Sequence, residues 1–291
     1  MGAGKSRPFP FSAGISYMRI ALGLEYDGSG FCGWQSQPAG CSVQDALDNG
    51  LSKIAAHDVR SQCAGRTDAD VHALAQVMHF DSNANRPLSA WVRGVNTLLA
   101  RSISIQWARE VSPDFHARSK ATGRAYLYIV LNRPERPGLH AGRVGWYHRP
   151  LRVDRMQAAA QALLGVHDFS AFRAAECQAL SPVKELRRVG VQRIGELVMF
   201  EFSADAFLHH MVRNLVGCLL KIGDGSRDVA WLRRVLDSRD RNQAAPTFPP
   251  DGLYLTAVEY DPVWGLPVRA HRLLSEVLPG AGLESTVPAP W

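Results

Sequence analysis

Apolar and polar positions alternate loosely from Arg19 to Tyr26, and the alternation stops at Asp27-Gly28-Ser29-Gly30, which predicts a strand followed by a turn. Ser42 then precedes Val43, Leu47, Leu51 and Ile54, whose spacing places them on one helical face with the serine as cap. Strands are expected over residues 59–64 and 75–80, on either side of a polar loop, with a helix over 89–99 and strands over 103–109 and 124–131. Further along, Asp154 is expected to cap a helix through Met156, Ala160 and Leu164, and residues 185–194 and 197–202 to form a hairpin about Gly195-Glu196. Helices over 208–222, ended by Gly223, and over 229–236 precede a closing strand over 253–260. Strands and helices alternate without the regular rhythm of a parallel sheet, so the expected class is α+β, two similar halves sharing a largely antiparallel mixed sheet. The halves would run over residues 18–114 and 115–261, between a flexible extension at 1–17 and a loosely held proline-rich tail at 262–291.

Composition narrows this picture. The chain has 291 residues, 46% of them hydrophobic, which suffices for a packed core and excludes disorder as the main state. Its richest apolar stretch, from Phe207 to Ile222, carries His209, His210, Arg213, Asn214 and Lys221, so no membrane span is expected and the protein should be soluble. Lys and Arg number 33 against 27 Asp and Glu, a net charge of +6. Between Arg109 and Arg155 stand ten basic and four acidic residues, so that segment accounts for the whole excess. One basic segment on a neutral body suggests a polyanionic partner met at one place. Five cysteines, Cys32, Cys41, Cys63, Cys177 and Cys218, are odd in number and form no C-x-x-C pair, which argues against a disulfide framework or a zinc site and for a reducing, cytoplasmic setting.

The chemistry concentrates in Cys63-Ala64-Gly65-Arg66-Thr67-Asp68-Ala69-Asp70-Val71-His72. Loops on rigid scaffolds are where catalytic groups gather, although an Asx-type turn in which Asp68 merely caps local donors would look the same. Asp68, Asp70 and His72 share a face only on a strand, and no fourth ligand is evident, so no metal is expected there. Asp27-Gly28-Ser29-Gly30-Phe31 is only a glycine turn, and no Walker A or G-x-S-x-G pattern occurs in the chain. What remains is a carboxylate acting as nucleophile or base beside an arginine.

These residues, with Val71-His72 and Gln76-Val77-Met78-His79-Phe80 following, resemble the active-site motif of the tRNA pseudouridine synthase A family. Glu25-Tyr26-Asp27-Gly28-Ser29 with Gly33-Trp34-Gln35 resembles that family's first signature. Phe115-His116-Ala117-Arg118 followed by Ala121-Thr122-Gly123-Arg124-Ala125-Tyr126 resembles its central one. Asp168 to Phe172, Phe207 to Asn214, and Ala245-Pro246-Thr247 with Gly252-Leu253-Tyr254 continue in family order.

The resemblance implies a pseudouridine synthase fold with a central RNA-binding cleft, and an isomerase that converts uridines 38, 39 and 40 of the tRNA anticodon stem-loop to pseudouridine. It implies Asp68 as nucleophile, Arg213 as the cation paired with it, and Tyr126 as the ring stacked on the target base. Arg66 would fill the space of the flipped nucleotide. Further RNA contacts would come from Phe115, His116, Ala117, Arg118, Arg124, Glu176, Cys177 and Gln178. No metal or organic cofactor is implied, and the partners are tRNA and a second copy of the chain in a homodimer. The sequence departs from the family pattern at Asp70, where a glycine is usual; aspartate tolerates the left-handed region, but its charge lies two residues from Asp68. The Glu176 loop also lacks a basic residue at its end, for which Lys184, Arg187 and Arg188 would compensate. A catalytically impaired tRNA-binding or chaperone protein of the same fold is the alternative that Asp70 raises.

Overall fold

A computed structural model of the chain describes residues 17–267. Ten strands are present, β1 (Met18–Tyr26), β2 (Gln62–Cys63), β3 (His72–Ser82), β4 (Ile103–Val111), β5 (Ala121–Asn132), β6 (Gly145–Tyr147), β7 (Gly165–Asp168), β8 (Val183–Ile194), β9 (Leu197–Ala204) and β10 (Leu253–Tyr260). Four helices accompany them, α1 (Val43–Ala55), α2 (Val153–Ala160), α3 (Met211–Gly223) and α4 (Trp231–Ser238). All ten strands join one sheet in the order β4-β1-β3-β10-β5-β9-β8-β7, with β2 added on β3 and β6 on β5. Neighbours are antiparallel except β10 with β3 and β6 with β5, so the sheet is mixed and largely antiparallel, as expected of the α+β class.

Alternation decides which side of the sheet each residue meets. On β5, Tyr128 and Val130 are buried among residues of α2, α3 and α4, while Leu127, Ile129 and Leu131 pack on the opposite face with Val144 and Met199. A second core gathers Val43, Leu47 and Leu51 of α1 over Ile20, Leu22 and Leu24 of β1 and Met78 and Phe80 of β3. Tyr126 is half-buried and touches both cores, so it stands where they meet. In α3, Leu215, Val216, Leu219, Leu220 and Ile222 are almost wholly buried. Burial on that scale, at about 1.5–3 kcal/mol per side chain, fixes the helix and the residues on its first turn.

Several expectations are corrected. The helix expected over 89–99 is present only as far as Asn96, and a wider π-type turn, Ala90–Gly94, interrupts it and buries Trp91. The strand expected over 59–64 is paired in the sheet at Gln62 and Cys63, with one further bond to β3 from Ala64 N to Val77 O at 2.8 Å. Asp154 does not cap α2; Arg152 holds that position without a side-chain bond, and Asp154 lies in the first turn, paired to Arg152 at 2.8 Å. Helix α3 starts at Met211 rather than residue 208, since His210 adopts a left-handed φ of 61° that ends the preceding loop. Cys32 and Cys41 form a disulfide. The backbone bond from Cys32 N to Cys41 O draws their Cα atoms to 5.5 Å, a proximity that spacing in the chain does not disclose. The other three cysteines are free and buried. The start of the supposed tail is held, since Trp264 packs against Phe115 with ring centroids 5.4 Å apart. The extension up to residue 16 and the tail beyond residue 267 lie outside the described residues. Among the described residues no helix is long and apolar enough to cross a membrane.

Candidate active site

The loop between β2 and β3 is held by its backbone. Gln76 Nε2 donates to Gly65 O at 2.7 Å, Trp34 N to Thr67 O at 3.0 Å, and the Tyr26 and Thr67 hydroxyls lie 2.8 Å apart. Gly33 approaches so closely, at a φ of 92°, that a Cβ there would lie 2.8 Å from Thr67 O. Only glycine fits that position. His72 Nδ1 accepts from Gly28 N at 3.0 Å, and its Nε2 lies 3.1 Å from Asp251 O. The first signature, Glu25 to Gln35, is therefore the brace of the Asp68 loop. Asp70 takes the left-handed φ of 61° that the turn needs, and its Oδ1 accepts from Gly30 N at 3.2 Å, which turns its charge into a local backbone bond.

With the backbone satisfied, the Asp68 side chain projects into a cleft of about 450 Å³. Arg213, on the first turn of α3, donates from Nη1 to Asp68 Oδ2 at 2.8 Å and from Nε to Phe248 O at 2.8 Å. The sequence-expected pair thus forms across 145 residues of chain, and its arginine is itself aimed by a second bond. Two histidines complete the surround, His209 Nε2 at 3.1 Å from Oδ1 and His210 Nε2 at 3.3 Å from Oδ2. Burial holds the His210 imidazole below its usual pKa, against the opposing pull of Asp68. Tyr126 lines the same cleft, edge-on to Phe207 at 5.1 Å. Its phenol is pushed far above the usual range, first by burial and then by the Asp68 charge, so it stays neutral at any working pH.

Of the further sequence-predicted contacts, Arg66, Arg118, Arg124, Glu176, Cys177 and Gln178 line the cleft. Arg66 and Arg118 are exposed there, as are Glu176 and Gln178. Others are corrected. Phe115 and Ala117 are wholly buried, so neither side chain reaches the surface. His116 uses Nδ1 to accept from the backbone of Arg118 and Ser119, which shapes the turn. Cys177 is buried, and its Sγ accepts from His209 N at 3.4 Å. Arg124 spends both terminal nitrogens on the carbonyls of Ala64, Arg118, Ala121 and Asp205, which leaves only Nε free for RNA. The basic segment does not converge on one place either. Of its ten cations only Arg118 and Arg124 line the cleft, while Arg133, Arg143, Arg149 and Arg152 pair with Glu196, Asp27, Asp224 and Asp154. Arg187 and Arg188 are likewise paired, leaving Lys184 as the compensating cation at the cleft.

Neither the placing of His209 and His210 beside Asp68 nor the work of Asn214 was read from the sequence. No helical spacing announces His209, because it lies outside α3, whose first residue is Met211. Asn214, fully buried, donates to Phe172 O at 2.8 Å and accepts from Thr247 Oγ1 at 2.7 Å and Arg241 Nη2 at 3.1 Å. Three separate motifs are thereby tied into one scaffold beneath Arg213.

A carboxylate paired to an arginine, an aromatic ring and a rim of exposed arginines share one cleft, an arrangement suited to a nucleic-acid-modifying enzyme. Comparison with known proteins agrees. The family model described as tRNA pseudouridine synthase matches residues 24–118 and 159–261. A protein of Thiobacillus denitrificans named tRNA pseudouridine synthase A is 58% identical over 255 residues, 88% of this chain and 98% of that protein. Its namesake from Dechloromonas aromatica is 57% identical over 250 residues, 86% of this chain and 95% of that one. A solved H/ACA ribonucleoprotein bound to a substrate RNA containing 2′-deoxyuridine is 11% identical with a TM-score of 0.35, over 69% of this chain and 44% of that one, and the assignment rests on the sequence relatives instead. The chain belongs to the tRNA pseudouridine synthase family, isomerases that convert uridine to pseudouridine in tRNA.

Proposed function

We propose that the protein isomerises uridines 38, 39 and 40 in the anticodon stem-loop of tRNA, with Asp68 as the covalent nucleophile. The observation that carries this reading is the Asp68 carboxylate, held at 2.8 Å by Arg213 in a cleft that also contains Tyr126. The Arg213 guanidinium holds the carboxylate in place beside the aromatic ring, as attack on an extruded nucleotide requires. Detachment of the uracil, its rotation and its rejoining through C5 then need a flat surface that keeps the base in place, and Tyr126 supplies it as a neutral ring. Because its phenol is held so far above the usual range, Tyr126 serves as platform rather than as a phenolate base for the C5 proton. Arg66, exposed at the rim, takes the space vacated by the flipped nucleotide, and Arg118, Lys184 and Gln178 hold the flanking backbone.

The protein works in the cytoplasm, where tRNA is found, as a homodimer whose tRNA spans both subunits. Sedimentation at micromolar concentration that returned a monomer would remove the dimer from this reading. The decisive experiment is to map pseudouridine in tRNA from cells with and without the protein, and to repeat the assay in vitro with Asp68→Asn. Loss of pseudouridine at positions 38 to 40, with tRNA binding retained by the variant, is the expected result. Near-parental turnover by the variant would overturn the role of Asp68.

A further inference from the structure

We propose that Asp68, His209 and His210 form a reversible transition-metal site, with zinc(II) its best-fitting occupant, and that occupancy closes the cleft to uridine. One carboxylate oxygen and two imidazole nitrogens lie within 4.8 Å of one another. His209 Nε2 lies 3.1 Å from Asp68 Oδ1, close to the roughly 3.3 Å edge of a tetrahedron built on zinc bonds of about 2.0 Å, and His210 Nε2 lies 3.3 Å from the other oxygen of the same carboxylate. Two histidines and one carboxylate, with a fourth position open to the cleft, are a ligand set that zinc accepts. Magnesium and calcium prefer oxygen throughout and gain little from two imidazoles.

The backbone that carries the two imidazoles is also held in place before any ion arrives. Cys177 Sγ accepts from His209 N at 3.4 Å, and His209 O accepts from Ala174 N at 3.0 Å. His210 is fixed in the left-handed region at a φ of 61°, a conformation that costs a non-glycine residue on the order of 1 kcal/mol or more and is kept where the surroundings impose it. Arg213, 2.8 Å from Oδ2, opposes a dication, and the exposed Glu176 offsets part of that repulsion. The balance makes the site a reversible inhibitory one rather than the seat of a resident cofactor. With Asp68 Oδ1 on the metal and Oδ2 held by Arg213, neither oxygen is left to attack a nucleoside.

The inhibitory consequence rests on the proposed role of Asp68, whereas the binding itself does not. The test uses the full chain after chelator treatment and titrates it with zinc(II) against a chromophoric chelator, with cobalt(II) absorption as a second probe. One equivalent per chain is expected. His209→Ala, His210→Ala and Asp68→Asn should each weaken it by at least about tenfold, and the exposed control His140→Ala should leave it unchanged. Parental affinity in both histidine variants would overturn the proposal, as would a sulfur-to-cobalt charge-transfer band placing the ion on a cysteine. Pseudouridine formation should fall as zinc fills the site and return with chelator. If zinc binds as described and turnover continues, the site stands and the nucleophile reading fails.

Discussion

The loop that carries Asp68 and the turn at residues 115–118 look alike in sequence, short segments holding an arginine and followed or interrupted by a histidine. Their structures are opposite. In the first, the framework grips the backbone, through Gln76 on Gly65 and Trp34 on Thr67, and the charged side chains are left for the cleft. In the second, the side chains are the framework. Phe115 packs against Tyr260 and Trp264, the Tyr260 hydroxyl donates to Ala117 O at 2.6 Å, and Arg19 Nη1 donates to Phe115 O at 2.8 Å. A family signature therefore marks either chemistry or the support of chemistry, and burial decides which.

Four substitutions would break or sharpen that contrast. Asp68→Asn, at the gripped loop, should lower the single-turnover rate of isomerisation by on the order of 10⁴-fold, with an unchanged melting temperature. A melting temperature that fell with the rate would make Asp68 a structural residue like those of the turn. Phe115→Ala should do the reverse, costing about 3–5 kcal/mol in chemical denaturation while the folded fraction keeps its rate per molecule. Arg124→Ala lies between the two regions. Loss of four carbonyl partners should cost about 1–3 kcal/mol of stability and little tRNA affinity at fixed salt, and a large affinity loss in a stable variant would return Arg124 to the RNA contacts. The smallest effect belongs to Arg118→Ala, expected to leave stability unchanged and to lower the slope of log affinity against log salt by about one. An unaltered slope would detach the exposed end of the turn from RNA altogether.

Much of this architecture is legible in the amino-acid order. The strands with sustained alternation, β1, β5 and β10, and the hairpin of β8 and β9, lie close to where the periodicity puts them, because each buries one face or both against continuous cores. Strands β6 and β7 are three and four residues long, too short for a period to register. The partnership of Asp68 with Arg213 was inferred from resemblance and finds its geometry across a long stretch of chain, whereas the two histidines beside it were not assigned to the carboxylate. Their approach depends on the left-handed backbone of His210, which no side-chain pattern announces. The Cys32–Cys41 bond was hidden for a similar reason, since a backbone hydrogen bond rather than a spacing rule brings the two together. The distribution of charge misled most. Summed over a segment it pointed to one polyanion site, but eight of its ten cations lie away from the cleft, three of them paired with Glu196, Asp27 and Asp224 from distant turns and a helix end.

Strand β10 follows every other strand in the chain, yet it lies between β3 and β5 near the middle of the sheet. Until it is in place, those two strands present bare edges of the kind that recruit foreign strands. The pairing of Tyr254 in β10 with His72 joins residues far apart in the chain, the kind of contact that slows folding. In the order of the sheet, β4, β1 and β3 on the side of Asp68 meet β5, β9, β8 and β7 on the side of Arg213 only through β10, so the integrity of the cleft depends on the strand made last.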